Sequence, residues 1–172
     1  MILIGVGGNL PSPAYGAPRR TLTAALAALG GEGIAVAARS TWYRSEPVPH
    51  SDQPWYVNAV ARLATTRGPG DLLAAMQCVE RRFGRVRGAR NAARAVDLDL
   101  LDYDGLEIDT PTLVLPHPRL HRRRFVLLPL AELVPDWRHP RFGRTAAELI
   151  AEIATREIVH PVPPEPDDPA SQ

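Results

Sequence analysis

Lysine is absent from the 172-residue chain, so all 20 of its basic side chains are arginines. This absence excludes the mechanisms that need an ε-amino group, among them the phosphate-binding lysine of a P-loop, the strand lysine of a protein kinase and a Schiff-base nucleophile. Any phosphate chemistry in this chain must therefore depend on arginine and on metal ions.

Cysteine and long apolar runs are also scarce. Because Cys78 is the single cysteine, an internal disulfide and a zinc site built from several cysteines are excluded. No stretch reaches the roughly 18 apolar residues of a membrane span, and the apolar start ends too early, at Gly5, for a signal peptide. The formal net charge of +1 gives no global field for nucleic acid or membranes. We expect a cytoplasmic monomer without nucleic-acid or membrane partners.

The length and composition suit a single domain. Hydrophobic residues make up 45% of the chain and charged residues 23%, as in soluble globular proteins that bury a core. We expect this domain to span residues 1–158. Residues 159–172 are rich in proline and acidic side chains and should form a disordered tail.

Apolar periodicity and turn residues predict interleaved strands and helices. Strands are expected over residues 2–6, 34–44, 56–64 and 96–101, and helices over residues 18–29, 68–83, 125–133 and 145–153. Pro129 should bend or interrupt the third helix, and Asp104-Gly105 should form a hairpin turn towards residues 106–108. The fold should therefore be α/β or α+β, with helices packed on a largely antiparallel sheet.

Two segments between these elements carry further signals. Residues 45–54 contain three prolines and form an unusually long loop, which makes them a candidate lid. Gly5-Val6-Gly7-Gly8-Asn9 follows the first strand, yet Leu10 stands where the third glycine of a dinucleotide fingerprint belongs. We therefore interpret these glycines as allowing another backbone to approach closely, or as a tight exit turn.

The clearest chemical signal is Asp97-Leu98-Asp99. Residues two apart in a strand point to the same face, so both carboxylates should project together. Two adjacent carboxylates repel each other unless a cation lies between them, and Mg²⁺ is commonly held by carboxylates together with substrate phosphates. The alternative is an exposed edge strand with solvated acids.

Half of the arginines flank this acidic strand. They are Arg81, Arg82, Arg85, Arg87, Arg90 and Arg94 before it and Arg119, Arg122, Arg123 and Arg124 after it. Since arginine binds phosphate oxygens in a bidentate manner, this clustering favours a site for a metal-chelated polyphosphate. A structural ion-pair network, a nucleic-acid-binding module and a phosphohydrolase with two carboxylates remain alternatives.

Taken together, the motifs resemble the 6-hydroxymethyl-7,8-dihydropterin pyrophosphokinase family of folate biosynthesis. The resemblance runs from residue 2 to about residue 153 and is specific in order and spacing. It rests on Gly5-Val6-Gly7-Gly8-Asn9-Leu10, Tyr43-Arg44-Ser45, Gln53-Pro54-Trp55-Tyr56-Val57-Asn58-Ala59, Gly84-Arg85-Val86-Arg87, Arg94-Ala95-Val96-Asp97-Leu98-Asp99 and Leu115-Pro116-His117-Pro118, followed by Arg123 and Phe125.

The resemblance implies a ferredoxin-like α+β sandwich and transfer of the β,γ-pyrophosphoryl group of ATP to the pterin, with release of AMP. The catalytic residues it implies are Arg85, Arg94, Asp97 and Asp99, and the two aspartates would hold two Mg²⁺ ions. The implied ATP-binding residues are Gln77, Glu80, Arg87, Arg90, Thr112, His117 and Arg123. The implied pterin-binding residues are Ser45, Val48, Tyr56, Asn58 and Phe125, with the two aromatic rings enclosing the pterin.

The chain departs from the family pattern in two loops and at Pro118, which follows His117 where the family's sequences vary. Glu46 stands where the pterin loop usually carries a small residue or proline, and its charge could disturb the loop or simply face solvent. Asn91-Ala92-Ala93 replaces the tryptophan, glycine and proline often found there, which should loosen the arginine loop.

Overall fold

Alternating and continuous apolar segments build a six-stranded sheet. A computed structural model of the protein describes residues 1–85, 93–154 and 157–163. The strands are β1 Ile2–Gly8, β2 Ala35–Arg39, β3 Tyr43–Ser45, β4 Tyr56–Ala64, β5 Asp97–Tyr103, β6 Ile108–Asp109, β7 Val114–Leu115 and β8 Val159–Pro161. The main sheet has the order β5-β1-β4-β3-β8, with β2 also paired to β4, and its pairings are antiparallel.

Two helices cover each face of this sheet. The helices are α1 Pro18–Ala28, α2 Pro69–Arg82, α3 Arg124–Leu133 and α4 Ala146–Glu152, and short 3-10 helices cover Leu29–Glu32 and Leu120–Arg122. Helices α1 and α2 bury their apolar sides in one core, and α3 and α4 bury theirs in a second core. The predicted α+β class, with helices on a largely antiparallel sheet, is confirmed. Within the described ranges, no helix is long and apolar enough to cross a membrane.

Strand β1 shows how the alternation of side chains divides the two cores. Ile2, Ile4 and Val6 belong to the core of α1 and α2, whereas Leu3 points to the core of α3 and α4. Gly5 and Gly7 share the second face with Leu3, since side chains alternate along a strand. One face of the sheet is therefore covered by apolar side chains, whereas the other face lacks side chains at the C-terminal end of β1.

The single strand predicted over residues 34–44 is wrong, because the chain bends between β2 and β3. The hydroxyl of Ser40 accepts a hydrogen bond from the Val60 N–H at 3.1 Å, in place of a regular ladder contact. The Trp42 side chain then turns into the first core, where it is 1% exposed. Two short strands result, and each pairs with β4.

Two further local predictions need correction. Asp104 and Gly105 do form a turn with positive φ at both residues, but the strand after it, β6, pairs with β7 instead of β5. Of the two effects expected at Pro129, the interruption does not occur, because α3 continues through this residue. Although proline lacks the N–H of a regular helical turn, its ring is buried, and packing against the second core holds the helix.

The first residues of the segment expected to be a disordered tail, from residue 159, form a strand. Strand β8 (Val159–Pro161) pairs with β3, and the Val162 N–H donates to the Trp42 carbonyl at 2.7 Å. The predicted domain boundary at residue 158 is therefore too early. The prediction for residues 164–172 lies outside the described residues.

A buried histidine stands at the edge of the second core. His139 is 2% exposed and packs between the rings of His121, Trp137 and Phe142. Its Nδ1 accepts a hydrogen bond from the Arg141 N–H at 3.2 Å, whereas its Nε2 is buried without a hydrogen-bond partner. Burial, with a smaller contribution from His121, lowers the pKa of His139 to about 4.

This lowered pKa predicts acid sensitivity. Between pH 6.5 and about 4 the unfolded chain binds a proton at His139 that the folded chain does not, so the free energy of unfolding should fall as the pH falls. We expect His139→Phe to flatten this slope, as measured by denaturant unfolding at several pH values. His50→Phe, on an exposed loop, is the control. An equal slope for His139→Phe and the native chain would contradict the prediction.

Candidate active site

A cavity of about 530 Å³ opens on the α3 face of the sheet. Its floor is formed by the ends of β1, β4 and β5. The lining residues from these strands are Gly5, Val6, Gly7, Tyr56, Asn58, Ala59, Asp97 and Asp99. Because Gly5 and Gly7 present no side chains, space remains above the sheet at this point. The glycine segment predicted after β1 therefore shapes the floor of the cavity.

The two carboxylates of β5 enter the cavity together, as their spacing predicts. Between them Leu98 is buried in the first core, which directs Asp97 and Asp99 to the opposite face. Asp97 makes ion pairs with Arg85 at 2.8 Å and with Arg94 at 3.0 Å. Strand β5 does lie at the edge of the sheet, as the alternative reading expected, but Asp97 and Asp99 are only partly exposed and line the cavity, so they are not simply solvated acids.

Asp99 lies in a second charged group beside the first. Arg123, at the start of α3, approaches its carboxylate to 3.2 Å, and the His117 ring nitrogen Nε2 lies 3.8 Å away. Burial lowers the pKa of His117, while Asp99 acts in the opposite direction. Arginines from three separate segments thus surround the two aspartates.

Asp97 carries an unfavourable charge in spite of these arginines. Burial, followed by the charge of Asp99, raises the pKa of Asp97, although Arg94 and Arg85 lower it. Its Oδ1 atom is buried and makes no hydrogen bond, even though the guanidinium of Arg85 lies close enough for an ion pair. A divalent cation at this oxygen would offset the charge. Among the described residues, no group of three metal-ligating side chains occurs. Mg²⁺ in proteins is commonly held by one or two carboxylates together with waters and substrate phosphates.

Glu80 binds the backbone of the acidic strand β5 at Leu98. It is 3% exposed, accepts the Leu98 N–H at 2.7 Å and pairs with Arg85. Burial raises the pKa of Glu80, whereas the Leu98 N–H and Arg85 lower it. It does not line the cavity. In this structure Glu80 therefore fixes β5 and orients Arg85.

Three other residues expected to bind ATP lie outside the lining of the cavity. Gln77 on α2, Thr112 near β7 and His117 do not line the cavity. His117 nevertheless contacts its edge through Asp99, and Thr112 is exposed beside Thr110. The predictions for Arg87 and Arg90 lie outside the described residues.

The residues expected to bind the pterin line the same cavity. They are Ser45, Val48, Tyr56, Asn58 and Phe125. The Asn58 side chain donates to the Ser45 hydroxyl at 2.9 Å, which fixes the orientation of its amide. Burial raises the pKa of Tyr56, so its hydroxyl stays protonated and donates to the Gln53 side chain at 3.3 Å. The Arg123 guanidinium lies 5.4 Å from the centre of the Phe125 ring.

Several cavity residues were missed as site residues from the sequence. They include Glu46, Pro47, Arg119, Arg122 and Glu157. The two arginines belong to the predicted flanking cluster, but the sequence does not show which arginines turn inward. No motif in the sequence marks Glu157 as a site residue, and it lies next to the segment expected to be a disordered tail. Its Oε2 atom accepts the Arg124 N–H at 3.0 Å.

Glu46 neither breaks its loop nor simply faces solvent. Its backbone N–H donates to the Ile158 carbonyl at 3.3 Å, and its Oε1 atom accepts the Ile158 N–H at 3.2 Å. The carboxylate therefore joins the loop that follows β3 to the C-terminal segment.

The end of β1 holds the segment that carries Arg94. Asn9 is 1% exposed; its side chain accepts the Arg94 N–H at 2.9 Å and donates to the Pro54 carbonyl at 3.0 Å. A Cβ atom on Gly8 would lie 2.2 Å from the Ala95 carbonyl oxygen. The predicted close approach of another backbone is thus confirmed at Gly8.

The family model for 7,8-dihydro-6-hydroxymethylpterin-pyrophosphokinase matches residues 3–135. Among curated proteins, the 2-amino-4-hydroxy-6-hydroxymethyldihydropteridine pyrophosphokinase of Pseudomonas aeruginosa is 41% identical over 87% of this chain and 90% of its own. The protein of the same name from Synechocystis is 38% identical over 88% of this chain and 75% of its own.

Solved structures agree on the fold. A Plasmodium falciparum HPPK-DHPS variant crystallised with pterin and p-hydroxybenzoate superposes with a TM-score of 0.63 at 10% identity. The match covers 87% of this chain and 42% of the other, so the present chain spans less than half the length of that protein. At this identity the likeness shows a common fold.

The contact at Gly8 predicts a sensitive position. We expect Gly8→Ala to lower the free energy of unfolding by about 1–3 kcal/mol, because the added methyl group would displace the backbone at Ala95. Gly31→Ala, where a Cβ would meet nothing within 4 Å, should change it by less than about 0.5 kcal/mol. Urea denaturation of both variants provides the measurement. Equal changes in the free energy of unfolding for the two variants would contradict the prediction, because they would show that the backbones at Gly8 and Ala95 can move apart at no energetic cost.

Proposed function

The chain belongs to the 7,8-dihydro-6-hydroxymethylpterin-pyrophosphokinase family, and from this premise we propose how its own residues carry out the reaction. The chain transfers the β,γ-pyrophosphoryl group of ATP to the hydroxymethyl group of 6-hydroxymethyl-7,8-dihydropterin, a step of folate biosynthesis. The observation that carries the residue assignment is the pair Asp97 and Asp99, which project side by side into a cavity lined with arginines.

The pyrophosphoryl group passes between two oxygens. The pterin hydroxymethyl oxygen forms a bond to the β-phosphorus of ATP, the bond from this phosphorus to the oxygen bridging to the α-phosphorus breaks, and AMP leaves. The hydroxymethyl proton is lost in the same process, and Asp99 is the nearest candidate acceptor. We assign Arg85, Arg94 and Arg123 to the phosphate oxygens, where fixed positive charge stabilises the transferring group.

Asp97 and Asp99 fit a site for Mg²⁺. The buried Oδ1 atom of Asp97 lacks a hydrogen bond, and both side chains offer the hard oxygen ligands that Mg²⁺ prefers. When bound by these two carboxylates, two such ions would neutralise charge on the ATP phosphates. In the absence of ATP, the arginines balance the same carboxylates.

The aromatic residues of the cavity are assigned to binding of the pterin, the acceptor of the pyrophosphoryl group. Tyr56 and Phe125 offer faces to a flat heterocycle, and Asn58 and Ser45 offer polar atoms to its edge. Val48 supplies an exposed apolar side chain on the loop above them. We propose that this loop closes over the pterin and excludes water, which would otherwise accept the pyrophosphoryl group.

The supporting role of Glu80 explains its burial better than a direct contact with ATP would. We propose that Gln77, Thr112 and His117 reach ATP only at the rim of the site, because none of them lines the cavity. The cytoplasmic location and the monomeric state stay predictions.

The nucleotide product tests the reaction. We expect incubation with ATP, Mg²⁺ and 6-hydroxymethyl-7,8-dihydropterin to yield AMP in step with pterin diphosphate, as resolved by chromatography. ADP as the product would contradict pyrophosphoryl transfer. AMP with free pyrophosphate, formed without pterin, would favour the hydrolase alternative, and tight Mg²⁺-independent binding of oligonucleotides would favour the nucleic-acid module.

Removal of one carboxylate tests the metal site. We expect Asp97→Ala to lower kcat at least a hundredfold, because it removes the assigned Mg²⁺ ligand and the carboxylate that pairs with both Arg85 and Arg94. Asp136→Asn, an exposed acid outside the cavity, should leave kcat within about twofold. Raised Mg²⁺ should not restore Asp97→Ala. Retention of more than a tenth of the native kcat would exclude Asp97 as an essential ligand.

Removal of one ring tests the pterin site. We expect Phe125→Ala to weaken pterin binding about tenfold or more, since loss of stacking on an aromatic ring costs about 1–3 kcal/mol. Isothermal titration with pterin in the presence of a nonhydrolysable ATP analogue gives the affinity. Phe142→Ala removes a half-exposed ring outside the cavity and should leave it unchanged. Equal affinities for the two variants would place the pterin elsewhere.

A further inference from the structure

Helix α3 begins in an unfavourable charge environment. Its N-cap residue is Arg123, which provides no side-chain acceptor, and its first turn contains no acidic residue. Arg122 and Arg124 flank the same point. The free N–H groups and the partial positive charge of a helix start favour an anion there, so three consecutive arginines add repulsion.

The missing acceptor comes from the other end of the described chain. The Oε2 atom of Glu157 accepts the Arg124 N–H at 3.0 Å, although 33 residues separate the two in sequence. Burial raises the pKa of Glu157, whereas the N–H groups of Arg124 and Phe125 and the charge of Arg124 lower it. The carboxylate therefore acts as an N-terminal cap supplied from outside the helix.

Glu157 is held firmly enough for this task. The neighbouring Ile158 exchanges two hydrogen bonds with Glu46, and β8 continues from there along β3. In the middle of β8, His160 stacks on Trp55 with ring centres 6.4 Å apart. The carboxylate thus extends from a strand of the sheet and does not hang from a free end.

The start of α3 carries two residues assigned to the reaction. Arg123 pairs with Asp99 at 3.2 Å, and Phe125 lines the cavity. Glu157 lines the same cavity, beside both. Any shift of the first turn of α3 would move a phosphate-binding guanidinium and a pterin-stacking ring together.

We propose that Glu157 is a positioning residue for the acceptor half of the active site, which it orders by capping the start of α3. The C-terminal segment thereby contributes to the active site. This inference rests on the proposed assignment of Arg123 and Phe125 to the reaction.

The test compares Glu157→Ala and Glu157→Gln with Glu148→Ala. The control removes the capping-box glutamate of α4, which lies outside the cavity. We expect Glu157→Ala to raise the pterin KM about five- to tenfold and to speed hydrogen exchange at the Arg124 amide. Glu157→Gln keeps an acceptor oxygen and should stay within about threefold of the native KM. Glu148→Ala should lower the melting temperature without changing either readout.

Two results would overturn the inference. One is an unchanged pterin KM and unchanged Arg124 exchange in Glu157→Ala; the other is an equal rise of KM in Glu148→Ala, which would indicate general destabilisation. The exchange measurement needs no substrate and keeps the inference separate from the reaction. A native chain that forms no pterin diphosphate would instead refute the proposed function.

Discussion

The structure depends on placing two negative charges side by side at a partly buried position. Asp97 and Asp99 share a face of β5 because the strand alternates, and Leu98 between them is held in the core. Burial and mutual repulsion both oppose the charged state of Asp97. Positive charge must therefore be brought to this strand from several parts of the chain, and the architecture around β5 does this.

The arginines arrive from three directions. Arg85 follows α2, Arg94 precedes β5, and Arg123 is the N-cap residue of α3. Each makes an ion pair with one of the two aspartates, so the structural ion-pair network considered from the sequence does exist. It is compatible with phosphate binding, because the same guanidinium groups line an open cavity and could exchange carboxylate for phosphate oxygens.

The remaining parts of the site depend on close backbone packing. Gly8 admits the segment of Ala95, and Asn9 ties Arg94 to the carbonyl of Pro54 on the opposite loop. One buried amide side chain thus links the segment of Arg94, proposed to bind phosphate, to the loop proposed to cover the pterin. The C-terminal segment closes the arrangement by joining β3 to the start of α3.

The sequence alone determined the acidic strand, the shared face of its aspartates and the class of the fold, because these follow from periodicity over neighbouring residues. Its motifs also indicated the family. Only the tertiary structure decided that Glu80 works from behind β5, that Glu46 binds Ile158 and that Glu157 reaches the cavity. It also decided the bend at Ser40 and the pairing of β6 with β7. These contacts join residues far apart in the chain, and local patterns carry no information about which distant partner a polar group will meet.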